Sequence, residues 1–242
     1  MFEAAGLALT LALAPFPSGV GLAGGQDPGT TVVAGCGDAA FEARYAAARR
    51  WCTAAGAGDA DAQSWLGMLY LSGEGLPQDD FEALRWLRLA AAQGDLDGIA
   101  GLADLYRRGQ AVERNEAEAN RLYRLAAEQG HAGSQAFVGG QYEMGFGVPR
   151  DYVEAARWYR LAAEQGHIGA QAGLAIFYEN GNGVERDEIE AYKWYLIAAT
   201  LGGYMLAGLP DEIAAKLTPE QLAEGRRRAA AWRRSPRTPV NR

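Results

Sequence analysis

The feature that most constrains this chain is a period of 36 residues. Gly58, Gly94, Gly130, Gly166 and Gly202 each stand 36 residues apart. Other columns keep the same spacing. Tyr70, Tyr106, Tyr142 and Tyr178 form one, and Gly73, Gly109, Gly145 and Gly181 another. Trp86, Leu122, Trp158 and Trp194 form a third, and Ala83, Ala119, Ala155 and Ala191 a fourth. Ala-Ala pairs recur at 54–55, 90–91, 126–127, 162–163 and 198–199, and no insertion breaks the register between Ala54 and Gly202. A fixed period of roughly 20–50 residues is the signature of a stacked-repeat architecture. Each repeat leaves an apolar face that only its neighbours can cover.

Each repeat reads as two helices. Over 132–144, Phe137, Val138 and Tyr142 share one helical face. Gly145-Phe146-Gly147-Val148-Pro149-Arg150 then forms a turn, rich in residues that take positive φ or stop a helix. Asp151 is placed to cap a second helix, along which Ala155, Trp158, Tyr159, Ala162 and Ala163 recur at helical spacing. Gly166 follows as the residue that lets the backbone turn left-handed after the helix. The next position is Asp59, Asp95, His131 or His167, an N-cap for the following helix. The small column Gly67, Ala103, Gly139 and Ala175 and the Ala-Ala pairs let helix axes approach closely.

This pattern resembles the Sel-one-like repeat, a relative of the tetratricopeptide repeat. The residues that carry the resemblance are Leu174-Ala175-Ile176-Phe177-Tyr178 through Ala198-Ala199, and Gly139 through Gly166. Four full repeats cover about 59–202, and Ala47, Thr53, Ala54, Ala55 and Gly58 match the second helix of a preceding half repeat. Repeat two departs most, with Ala111 for the second turn glycine and Asn115 for aspartate. The resemblance implies an all-α fold, a right-handed α/α solenoid of stacked antiparallel helix pairs.

The ends lie outside the register. Residues 4–14 are an uncharged apolar run of signal-peptide length, far too short to span a membrane. We expect residues 1–23 to be a signal peptide and 24–37 a linker. The repeat solenoid should then run over 38–203, with a first helix from Asp38. Val33-Ala34-Gly35-Cys36 has the order of a lipobox, but Gln26, Asp27, Pro28 and two threonines separate it from the apolar run. Acylation is not expected there. If helix runs from Asp38, Cys36 and Cys52 lie some 20 Å apart along it. Both are then expected to be free thiols. Residues 204–234 read as a C-terminal capping helix pair. Its first helix is interrupted near Pro210, and its second opens on Thr218-Pro219-Glu220-Gln221, a capping box with Leu217 and Leu222 as staple. Residues 235–242 read as a basic disordered tail.

Composition bears on chemistry. The chain has 21 Arg and 2 Lys within a total of 23 basic residues, with 2 Cys and 2 His. There is no Ser-x-x-Lys, no Gly-x-Ser-x-Gly, no P-loop lysine, no Cys-x-x-Cys and no His-Glu-x-x-His. No catalytic residues, metal site or cofactor are expected. His131 and His167 are one repeat apart, too far to share a zinc ion, and read as caps. The formal charge is −7. Residues 218–242 hold seven Arg and two Glu, or +5, leaving −12 on residues 1–217. An acidic body is a poor phosphate binder, so no nucleic-acid partner is expected.

The resemblance implies a protein–protein scaffold or adaptor, with a concave groove lined by the first helices that takes a peptide or partner helix. Aligned on that pattern, the groove residues are Met68 and Leu71 in repeat one, Asp104, Arg107 and Arg108 in repeat two, Glu143 and Met144 in repeat three, and Ile176, Glu179 and Asn180 in repeat four. Some members it resembles act in the periplasm in envelope signalling or assembly, and the apolar run at 4–14 leads us to expect a periplasmic or secreted location, with the cytoplasm as alternative. Two other readings stand beside this one. A β-lactamase-like hydrolase would belong to a cysteine-rich branch whose paired cysteines are missing here. A membrane-surface protein would use the Arg-rich end helix with Arg226, Arg227 and Arg228.

Overall fold

The computed structural model describes residues 46–202 and 208–234. The expected signal peptide, linker and basic tail, and the start of the first helix at Asp38, lie outside them. Among the described residues there are eleven helices and no strand. The chain divides into two compact units, 1–95 and 96–242.

The first unit contains α1 (Ala46–Gly56), α2 (Ala60–Ser72) and α3 (Asp80–Ala92). Consecutive helices pack on one another and enclose Ala55, Leu66, Tyr70, Leu76 and Trp86. Cys52 is buried in the same cluster, and it is disulfide-bonded. This corrects the expectation of two free thiols; Cys36 is the other cysteine of the chain. The distance argument required helix from Asp38. The described part of that helix, from Ala46 to Cys52, rises only about 9 Å.

The second unit contains α4 (Leu96–Arg108), α5 (Glu116–Glu128), α6 (Ala132–Met144), α7 (Tyr152–Glu164), α8 (Ile168–Asn180), α9 (Glu188–Gly202), α10 (Leu209–Ala214) and α11 (Pro219–Arg234). From α4 to α9 each helix packs on the next. Short turns between packed neighbours make them antiparallel pairs stacked in tandem. α10 and α11 both pack on α9. Pro210 sits in the first turn of α10 and is buried. Thr218 and Gln221 form the reciprocal capping box, at 2.8 and 3.3 Å. α11 closes the last core with Ala229 and Trp232, the latter edge-on to Trp194 at 5.9 Å.

The joints between repeats are made by one recurring motif. At the end of α7 the Gly166 N–H donates to the Ala163 carbonyl and the His167 N–H to the Ala162 carbonyl, both at 3.0 Å. This is the Schellman arrangement, and Gly166 supplies its left-handed residue at φ +98°. The Ala-Ala pair thus has two roles, close packing and terminal carbonyls. A glutamine of the next helix reinforces the joint. Gln63, Gln135 and Gln171 are buried, and each donates Nε2 to the carbonyl of Ala55, Ala127 or Ala163 at 3.1 Å. Gln93 and Gln165 in turn donate to the Oε1 of Gln63 and Gln135, at 2.8 and 2.7 Å. Repeat four carries Leu201 at that station. Leucine has no donor, and the Oε1 of Gln171 is left without a partner.

The turn within each repeat is closed from both sides. The N–H of Asp79, Asn115, Asp151 and Asp187, the cap residues of the second helices, donates to the carbonyl of Tyr70, Tyr106, Tyr142 and Tyr178. The second turn glycine differs in its surroundings from repeat to repeat. Gly183 has φ +64°, and a Cβ there would lie 2.0 Å from the Tyr152 carbonyl oxygen. At Gly147 a Cβ would meet only the Asn120 side-chain nitrogen, at 2.9 Å, and at Gly75 it would meet nothing within 4 Å. Ala111 keeps the same left-handed backbone, at φ +54°. The turn of repeat two therefore retains its shape and carries the strain of a Cβ in that region.

Candidate functional site

The first helices of the second unit bring part of the expected groove together. Arg107 and Arg108 end α4, and Met144 ends α6. All three line one cleft of about 960 Å³. Ile176 and Asn180 on α8 are exposed but do not line it. In the first unit, Met68 is exposed and Leu71 half-buried on α2.

The charged residues of that set have partners within the fold. Glu143 accepts a hydrogen bond from the Tyr159 hydroxyl at 2.6 Å, and Glu179 from Tyr195 at 3.0 Å. Glu179 also pairs with Lys216 at 2.6 Å, and that contact, before the tyrosine, holds its carboxyl below the usual range. Burial, then the bonded carboxylate, pushes both tyrosine hydroxyls well above their ordinary value. These carboxylates are not a solvated face; each ties a first helix to its own second helix. Repeat two makes the same tie with different residues. Arg107 stands where Glu143 and Glu179 stand, and Asp104, one turn earlier, supplies the carboxylate. Asp104 holds Arg107 at 2.7 Å, and both interact with the Tyr123 hydroxyl.

The cleft lies between repeats two and three. Phe137 forms part of its wall and stacks on Tyr123 at 3.9 Å between ring centroids. Met144 and Phe146 stand at its edge, 56% and 69% exposed. Arg107, Arg108 and Arg114 line the other side. Gly140 leaves the floor open where Met68, Asp104 and Ile176 stand in the other repeats. A second cleft, of about 790 Å³, lies beside the start of α9. Its charges are of both signs, with Arg186 paired to Glu188 at 2.5 Å.

The family pattern of the Sel1 repeat matches residues 60–95, 96–131, 132–167 and 168–203. The chain belongs to the Sel1 repeat family. A Sel1 repeat protein from Oxalobacter formigenes is similar at 31% identity, over 70% of this chain and 50% of that one, with a TM-score of 0.62. The c5321 protein of uropathogenic Escherichia coli, a protective antigen with the same repeat fold, is 29% identical over 78% of this chain and 48% of that one, with a TM-score of 0.49. This chain thus spans about half the length of each of these two structures. No curated protein matches it. Sel1 repeats generally serve as non-catalytic protein-interaction scaffolds.

Set on the Sel1 register, two cleft residues become visible as departures: Phe146, which was not expected there, and Met144, which was. Phe146 occupies a turn station held by Glu74, Gln110 and Asn182 in the other repeats. Met144 occupies one held by Ser72, Arg108 and Asn180. Only repeat three is apolar at both. Arg114, Asn120 and Phe137 also line the cleft, and no single-repeat argument selects them.

The histidines of this Sel1 chain are caps. Nδ1 of His131 accepts from the Ser134 N–H and Nδ1 of His167 from the Ala170 N–H, both at 3.1 Å. Nδ1 is thus the capping acceptor in each ring. The other nitrogen of His131 meets Asp97 at 3.1 Å. Burial, then the nearby His131, lowers the His167 pKa below 6.5. The unfolded chain then binds more protons than the folded one below about pH 6.5, so stability falls as pH drops through that value. The expected result is a melting temperature that decreases between pH 7.5 and 5.5. His167→Asn keeps a capping acceptor that does not titrate, and should flatten that decrease in parallel melts. An unchanged slope would remove His167 from the account.

Proposed function

We propose that this chain is a non-enzymatic interaction scaffold whose second unit holds an extended peptide or a partner helix on its first helices. The observation that carries this reading is the cleft between repeats two and three. It is lined by first-helix residues of both repeats, by the turns that follow them and by the start of α5, and it combines exposed apolar side chains with arginines. Apolar anchors beside directional charged donors are what peptide recognition in a groove requires. The disulfide at Cys52 supports an oxidising compartment, hence a periplasmic or secreted scaffold in envelope signalling or assembly. No described helix is long and apolar enough to cross a membrane. The arginines of α11 are paired in part within the fold. Arg227 pairs with Glu224, and Arg228 with Glu224 and Glu190, at 2.6–2.8 Å.

The test is capture with purified full chain as bait, under oxidising conditions, from an extract of the source organism. A specific partner should be retained by wild type. It should be lost from Ile176→Asp or Met144→Asp, on the first helices, and kept by Val153→Asp, on a second helix. A partner that ignores both first-helix substitutions and leaves with Val153→Asp would place recognition on the other face.

A further inference from the structure

The cleft between repeats two and three has a chemical character of its own, and this inference rests on the scaffold reading. Its apolar side consists of Phe137, Met144 and Phe146. Phe137 is fixed by its stack on Tyr123, whereas Met144 and Phe146 stand out into solvent. A thioether and a ring at the edge of a stacked aromatic pair form an adaptable apolar receptor. The polar side consists of arginines with different freedom. Arg107 is clamped by Asp104 at 2.7 Å and serves as fixed wall. Arg108 reaches Asp104 only at 3.7 Å, with its side chain 57% exposed. Arg114 pairs with Glu116, its neighbour but one, and is 68% exposed. Such exposed pairs contribute little and exchange readily for a better acceptor.

Counting the carboxylates that pair with them, Arg107, Arg108 and Arg114 against Asp104 and Glu116 leave a local charge of +1. The chain as a whole carries −7. On a protein of net negative charge a positive spot beside an apolar receptor acts at short range, where it selects acidic groups at contact. Guanidinium groups match carboxylates in a two-pronged geometry.

We propose that this cleft recognises a peptide segment in which carboxylate side chains flank an aromatic or large aliphatic residue. The apolar residue seats against Phe137, Met144 and Phe146, and the carboxylates meet Arg108 and Arg114.

The probe is a set of three fluorescein-labelled decapeptide pools. Each pool has a fixed central phenylalanine flanked by two glutamates, two lysines or two serines, with the remaining positions randomised. Binding to the full, oxidised chain is read by fluorescence polarisation. The glutamate pool should bind about tenfold or more tighter than the lysine pool, with the preference shrinking as salt rises. Two variants use residues that other repeats carry at the same stations, which keeps the fold. Met144→Asn with Phe146→Asn should weaken the glutamate pool about tenfold. Arg108→Ser with Arg114→Gln should erase the preference for glutamate over serine. Equal binding of the three pools, or binding that neither variant changes, overturns the proposal. If either occurs while a captured partner is still lost from Ile176→Asp, the scaffold reading stands and only this cleft's role falls. If no pool binds and no partner is captured, both fall.

Discussion

Gly183→Ala should lower stability by about 3–4 kcal/mol, roughly 10 °C in melting temperature. Two effects add. Any L-residue at φ +64° carries the left-handed penalty, about 1–2 kcal/mol. A Cβ there would also lie 2.0 Å from a backbone carbonyl oxygen of α7, which cannot swing aside as a side chain can. Either the turn of repeat four or the start of α7 must move, and the stacking of repeat four on repeat three loosens. Gly75→Ala is the control, because a Cβ there meets nothing within 4 Å. It should cost only the backbone term, with Gly147→Ala in between. The converse substitution, Ala111→Gly, should raise stability by about 0.5–1 kcal/mol by relieving the strain already present in repeat two. Thermal melts of the four variants decide the matter. Equal losses at Gly183 and Gly75 would mean that the contact with Tyr152 does not contribute.

Reduction of the protein should remove about 3 kcal/mol from the first unit. A bond from Cys52 to Cys36 closes a loop of about 15 residues in the unfolded chain, and opening it restores that chain entropy. The loss should be local. Amide exchange should accelerate in α1 and α2, which share the core around Cys52, and remain unchanged in α6 to α9. Thiol titration of the denatured, unreduced protein should find no free thiol, and two after reduction. Two thiols without reduction would remove both the stabilisation and the argument for an oxidising compartment.

Legibility differed between parts of the molecule for physical reasons. Helix starts at Asp59, His131, His167 and Asp151 were readable because a cap acts within three residues of its own chain. The same holds for the capping box at Thr218. Glu143 and Glu179 were visible as a column, yet their bonds to Tyr159 and Tyr195 join residues 16 apart, which no helical period predicts. The glutamine ladder was overlooked because its two columns are broken, at Ile99 and at Leu201, and its bonds span 30 residues. The disulfide at Cys52 was not legible because the separation of two cysteines depends on the path of the chain between them, which no local pattern sets.

By itself the sequence determined the repeat, its boundaries and the pairing of helices, since a 36-residue period leaves stacked hairpins as the way to bury every apolar stripe. The tertiary structure alone decided which groove residues are spoken for and which are available. Asp104, Arg107, Glu143 and Glu179 spend their charge on partners inside the fold, whereas Met144 and Phe146 remain exposed beside Arg108 and Arg114. That division depends on distances between side chains of successive helices, and only the stacked chain sets those distances.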